Sequence, residues 1–319
     1  PRGASTRART CFSLDDVIDA GRVAKKLGIP FEVIDLRKEF KELVIDDFIT
    51  EYAGGRTPNP CIRCNERIKF DLLWRQAKEM GADYLATGHY AQSILADNGW
   101  YHLVKGADQQ KDQSYFLFTL TQEQLARVIF PVGKLEKKEV RQLAASFGLP
   151  VAQKHESQEI CFIPDNDYVR FLEKSGFRQP DGEIVTSDGV LLGRHRGIHR
   201  FTIGQRRGMG IPWEYPLHVI ALDAEKRRVI VGRAEKLKRS GLIATGSSWT
   251  GSSVPAEFRA DCQIRYRHRP ASCRVGILAD RSFEVHFDEP QTSITPGQAA
   301  VLYDEARVLG GGWIVSGID

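Results

Sequence analysis

Two thiols three residues apart, Cys61 and Cys64 in the stretch TPNPCIRCNERIKF (57–70), are the residues with the clearest capacity for chemistry. A CxxC pair can be half of a metal site, a redox couple, or a reactive thiol with a neighbour that tunes it. The cysteines at 11, 61, 64, 161, 262 and 273 contain no second CxxC, which disfavours a closed four-cysteine zinc site. Pro58 and Pro60 hold φ near about −65° and push the residues before them to extended conformations. The thiols thus stand on constrained backbone just ahead of a helical stretch, where the helix dipole and unpaired amides favour a thiolate at Cys64. Cys161, in SQEICFI (157–163), has no basic neighbour closer than Lys154 and His155; by itself it reads as a small buried hydrophobe.

Charge adds a second signal. The net charge of +4 is mild, but residues 193–211 (GRHRGIHRFTIGQRRGMGI) hold five arginines, two histidines and no acid. A second cluster, Arg265-Tyr266-Arg267-His268-Arg269, follows further along. Basic runs with aromatics between them suit a phosphate backbone with accessible bases. There is no run of about 18 apolar residues to span a membrane, and PRGASTRART lacks the apolar core of a secretory signal. A cytoplasmic, non-membrane protein is expected.

The elements that must position these groups change character along the chain. In the first half helices and strands alternate. Ser13 or Asp15 caps a helix with Val17, Ile18, Ala24 and Leu27 on one face, ended by Gly28. FEVIDL (31–36) reads as a buried strand. A helix runs through Glu51, another spans about Asn65 to Met80, and DYLATGHY (83–90) is a strand running into a glycine turn. Asn98-Gly99 closes a hairpin, and 134–150 is a helix stopped by Gly148 and Pro150. Such alternation predicts a Rossmann-like α/β domain with a parallel sheet. After a helix at about 167–175 come short strands and tight turns, as in small β-domains or barrels. The domains are read as 1–164, 165–240 and 241–319.

Several motifs now fall together: TPNPCIRCNERIKF, ATGHYA (86–91), KDQSYFL (111–117), FPVGKL (130–135), SQEICFI, FTIGQRRGMGI, FDEP with TPGQAAVLYD, and LGGGWI (309–314). In this order, from about Cys11 to Ile314, they resemble the tRNA-specific 2-thiouridylases, the MnmA/TrmU family. The resemblance implies an N-terminal ATP-pyrophosphatase domain, a small central domain and a C-terminal β-barrel. It also implies an activity: adenylation of the wobble uridine of certain tRNAs with ATP and Mg2+, then replacement of its 2-oxygen by sulfur.

Residue by residue, Cys64 matches the family's first catalytic cysteine and Cys161 the cysteine that carries the persulfide, the second thiol either releasing the outer sulfur or closing a disulfide afterwards. Gly88 matches an ATP-site position. Asn59, Pro60 and Cys61 lie where the family meets the target base, which must leave the anticodon stack to be reached. His89, the triplet Lys111, Asp112 and Gln113, the pair Arg265 and Tyr266, and Gln298 match tRNA-binding positions. The implied partners are wobble-uridine tRNAs, those for Glu, Gln and Lys, and a cysteine desulfurase or sulfur-relay protein. Cys262 and Cys273 match no catalytic position and read as packing residues.

The chain departs from the family pattern twice. Cys61 stands where many members carry Asp, so Cys61, Cys64 and Cys161 could instead hold a 4Fe–4S cluster that presents sulfur; relay and cluster both stay open. The ATP signature SGGxDSS is not in the sequence, and a segment upstream of Pro1 is expected to supply it. The chain as given is expected to bind tRNA but to activate it poorly, and a non-catalytic tRNA-binding protein is the rival reading.

Overall fold

The computed structural model describes residues 14–153, 160–251 and 254–319. Helix α1 (Leu14–Leu27) carries Asp15 and Asp16 in its first turn and Lys25 and Lys26 in its last, the arrangement that complements a helix dipole. The expected cap Ser13 lies outside the described residues. Gly28 ends the helix at φ +68°.

Residues 31–36 correct the sequence reading. They form no strand, and Phe31 and Val33 are exposed at 47% and 60%. An extended apolar run becomes a strand only where a neighbour takes up its amides and carbonyls. The parallel pair of this first half, β1 (Leu85–Ala86) with β4 (Val128–Ile129), does not include it.

Helix α2 runs unbroken from Arg37–Phe40 through a π-helical stretch, Lys41–Ile45, into Asp46–Ala53. Helix α3 has the same build: Pro60–Arg63, then π-helical Cys64–Leu72, then Leu73–Glu79. It starts earlier than the Asn65 that periodicity suggests. Asn59 is its cap, accepting from the Ile62 amide at 3.4 Å, and Pro60 takes the first helical position, where a missing N–H costs nothing. Strands β2 (Ala91–Leu95) and β3 (Tyr101–Lys105) form the hairpin around Asn98-Gly99. Helix α4 is Gln122–Arg127, and α5 (Lys137–Ser146) fills the expected helix.

Past α6 (Tyr168–Lys174), β5 (Gly182–Thr186), β6 (Leu191–His195), β7 (His218–Asp223) and β8 (Arg228–Gly232) form a sheet in the order β6-β5-β8-β7. Ile184, Val219, Val229 and Val231 fill its buried face. Six antiparallel strands then close a barrel: β9 (Lys238–Trp249), β10 (Glu257–Gln263), β11 (Ala271–Ile277), β12 (Phe283–Thr292), β13 (Ala299–Asp304) and β14 (Arg307–Ile318). The order is β13-β10-β11-β12-β9-β14, and β14 pairs back onto β13. Cys262 and Cys273 are fully buried inside it, as packing residues.

The β2–β3 hairpin joins this barrel sheet through Arg307 opposite Val104. One core also runs across both regions: Ile62, Phe70, Tyr115 and Phe118 pack with Val301, Tyr303 and Val308. At Gly311 a Cβ would stand 2.6 Å from the Ala300 carbonyl oxygen and 2.9 Å from the Phe118 ring, so only glycine lets that ring seat against the barrel wall. No helix among the described residues is long and apolar enough to cross a membrane.

Candidate active site

Asn59, Pro60 and Cys61 form one wall of a cavity of about 540 Å³. Gly88 and Tyr90 follow β1, Gln110, Lys111, Gln113 and Phe116 come from the loop after β3, Lys137 begins α5, and Ile160 adjoins Cys161. The barrel supplies Tyr266 and Arg267. Seven residues expected from the sequence thus share one recess: Asn59, Pro60, Cys61, Gly88, Lys111, Gln113 and Tyr266. Tyr266 rests on Phe116, ring centroids 4.4 Å apart, and leaves an aromatic surface beside the thiol. A Cβ on Gly88 would meet nothing within 4 Å, so the backbone there is open to a ligand. A neighbouring groove of about 650 Å³ shares Gln110, Tyr266 and Arg267 with the cavity and adds Lys105, His268 and Arg269.

Cys64 lies one turn deeper on α3 and packs, with Cys161, against the aromatic cluster of Phe40, Phe48 and Phe162. Cys161 stands close enough to raise the pKa of both Cys61 and Cys64, and Cys61 adds to the rise at Cys64. Burial is the larger cause: it pushes Cys61 and Cys64 up to about 11, with Lys69 pulling both back. Cys61 is exposed to the cavity, yet the surrounding walls still desolvate it. The expected dipole activation of Cys64 is therefore corrected. The residue sits past the first turn, where that effect has faded, and desolvation prevails. None of the five described cysteines is in a disulfide. Among the described residues no three histidine, cysteine or carboxylate side chains are grouped to hold a metal ion.

The other expected residues, and Gln113 with them, make contacts within the fold. His89 is buried, its Nδ1 2.8 Å from Thr87 Oγ1 and its ring against Phe70 and Phe130. Burial, then Lys69, lowers it to about 3, so it is neutral. The Asp112 carboxylate accepts from the Gly106 and Ser114 amides and the Ser114 hydroxyl, which holds the loop carrying Lys111. Gln113 Oε1 accepts from the Tyr90 amide at 3.0 Å while its residue lines the cavity. Arg265 donates to the Thr292 carbonyl and leaves the cavity to Arg267. Gln298 Nε2 donates to the Thr57 and Pro58 carbonyls.

In the basic run, Arg194, Arg196, Arg206 and Arg207 are exposed, while Arg200 pairs with Glu173. His195 and His199 are buried and bonded to the Arg227 carbonyl and to Gln179. Sequence reasoning missed Tyr90, Phe116, Lys137 and Arg267 as cavity residues. Arg267 had a signal in the RYRHR cluster; the others came from segments that only folding brings together.

The recess, with one thiol on its wall and bordered by cations and an aromatic ring, lies between an α/β domain and a barrel. Comparison with known proteins identifies the family. Residues 2–165 match the tRNA methyl transferase HUP domain model, 169–233 the tRNA methyl transferase PRC-barrel model, and 239–314 the aminomethyltransferase β-barrel model. A tRNA-specific 2-thiouridylase MnmA of Geobacter metallireducens is 58% identical over 96% of this chain and 83% of its own length. That of Geotalea uraniireducens is 55% identical over 96% and 82%, and that of Magnetococcus marinus 49% over 97% and 87%. The chain belongs to the tRNA-specific 2-thiouridylase (MnmA) family.

Proposed function

We propose that this protein carries out ATP-dependent 2-thiolation of the wobble uridine in tRNA, with Cys64 and Cys161 as the sulfur-handling pair. The observation that carries the reading is the approach of Cys161, distant in sequence, to Cys61 and Cys64 beside a cavity walled by Gly88, Lys111, Tyr266 and Arg267. The flipped uracil enters this cavity, with Tyr266 as its stacking face and Asn59–Cys61 along its edge. Lys111, Arg267 and the neighbouring groove take the flanking phosphates, and exposed Arg194, Arg196, Arg206 and Arg207 extend the cationic surface.

ATP with Mg2+ is a co-substrate; Gly88 supports the nucleotide, and transfer of AMP to the uracil 2-oxygen releases pyrophosphate and makes that oxygen a leaving group. A cysteine desulfurase or relay protein delivers one sulfur to Cys161 as a persulfide. The terminal sulfur attacks C2 and AMP departs with the oxygen. The Cys64 thiolate then attacks the inner sulfur, leaving the outer sulfur on the base and a Cys64–Cys161 disulfide, which a dithiol reductant reopens.

The test is thiolation by the full-length polypeptide given ATP, Mg2+, a cysteine desulfurase and unmodified tRNA for Glu, Gln or Lys. Cys64→Ser and Cys161→Ser should each abolish 2-thiouridine while tRNA binding persists. Thiolation surviving both changes would overturn the reading.

A further inference from the structure

The segment that leads into the thiols is held by two other domains. Residues 57–60 read Thr-Pro-Asn-Pro; neither proline has an N–H, so this backbone cannot enter a regular hydrogen-bond ladder and its carbonyls need donors from outside. The barrel supplies them. Gln298 Nε2 donates to the Thr57 carbonyl at 2.9 Å and to the Pro58 carbonyl at 3.2 Å, and the Thr57 amide donates to the Pro296 carbonyl at 2.9 Å. Gly297, at φ +89°, lies so close that a Cβ would stand 2.9 Å from the Thr57 carbonyl oxygen. From the central domain, Thr202 Oγ1 meets Thr57 Oγ1 at 3.3 Å. Gln298 is itself fixed: its amide donates to Thr295 and its carbonyl accepts from Ile314.

We propose that Gln298 is a positioning residue: its side-chain amide, anchored in the barrel, sets the placement of Thr57–Cys61 and hence of Cys61 and Cys64 against the base. The inference rests on the sulfur-transfer reading and gives the TPGQ loop a duty in the rate of transfer rather than in the grip on RNA. It also accounts for the neighbouring FTIGQ motif, whose Thr202 braces the same residue. A displacement of about 1 Å at such a segment is enough to lower a rate on the order of a hundredfold.

The test uses Gln298→Met in the full-length polypeptide, which keeps the volume and removes the donor, and Gln298→Asn, which keeps the amide but withdraws it. Three readouts are taken: hydrogen exchange across residues 57–64, equilibrium tRNA binding, and the single-turnover thiolation rate at saturating tRNA. Both variants should speed exchange in that segment roughly tenfold, as expected for the loss of one or two hydrogen bonds. The saturating rate should fall about tenfold or more, with tRNA affinity within about twofold. Gln298→Lys, a donor of sufficient reach, should recover much of the rate. Weaker tRNA binding with an unchanged saturating rate would make Gln298 an RNA contact and overturn the proposal, as would unaltered exchange at 57–64. If the parent protein does not thiolate, the sulfur-transfer reading fails, while the exchange measurement still decides whether the clamp exists.

Discussion

Alkylation of Cys61 and Cys64 by iodoacetamide should be slow at neutral pH in the RNA-free protein and should climb about tenfold per pH unit up to about pH 11. The magnitude follows from their setting. Burial is the leading cause for both thiols and pushes each from an ordinary 9.0 to about 11. Lys69 counteracts it without prevailing. At pH 8 a thiol of pKa about 11 is thiolate to roughly one part in a thousand, against about one part in ten at 9.0. The two sites should therefore react on the order of a hundredfold more slowly than an unhindered thiol. Mass spectrometry of the peptide containing both residues, over pH 7 to 11, gives the profile; Cys61→Ala and Cys64→Ala separate the sites. Lys69→Met removes the attenuating cation and should slow both further. A plateau below pH 9 in the wild-type protein, or faster reaction in Lys69→Met, would refute the reasoning.

Acid sensitivity should trace in part to His89. Burial and Lys69 hold it at about 3 when folded, so the unfolded chain takes up a proton near 6.5 that the folded chain refuses. Stability should thus fall as pH drops below 6.5, by about 1.4 kcal/mol per unit for this residue, levelling near pH 3. Urea titrations at pH 7 and pH 5 measure the slope, and an undiminished slope in His89→Asn would place the proton uptake elsewhere. Gly311→Val should cost about 1–3 kcal/mol, because its side chain would collide with the Ala300 carbonyl and the Phe118 ring. A neutral urea midpoint would mean that Phe118 is not seated there. For tRNA, Arg206→Ala with Arg207→Ala should flatten the dependence of log affinity on log salt by about 0.7–0.9 per phosphate lost. Arg200→Ala should leave that slope alone, since Arg200 already pairs with Glu173.

Local signals made the frame legible where the element answers mainly to its own sequence. Asn98-Gly99 marks the β2–β3 hairpin, and Gly148 stops α5. FEVIDL failed because its pattern records strand propensity without supplying a pairing partner. The start of α3 slipped because Asn59-Pro60 was read as a constraint before a helix, when it is the cap and first turn. At the site, the motif resemblance picked residues now found around one recess. It could not separate those facing the space from those bracing it, as Gln113 differs from Asp112 and Tyr266 from Arg265. That distinction depends on which way a loop turns after it packs. Nor could any short window foretell that β3 pairs with β14, or that Phe118 and Tyr303 share one core.

That common core bears on how the molecule is made. A ribosome delivers residues 57–64 while the strands containing Gln298, Tyr303 and Gly311 are still unsynthesised. The barrel partners of Ile62 and Phe118, and the donors for the Thr57 and Pro58 carbonyls, therefore emerge long after that segment. The thiol-bearing segment can settle only after the barrel strands have been made, and a chain released before them would carry the same thiols without the setting that restrains them.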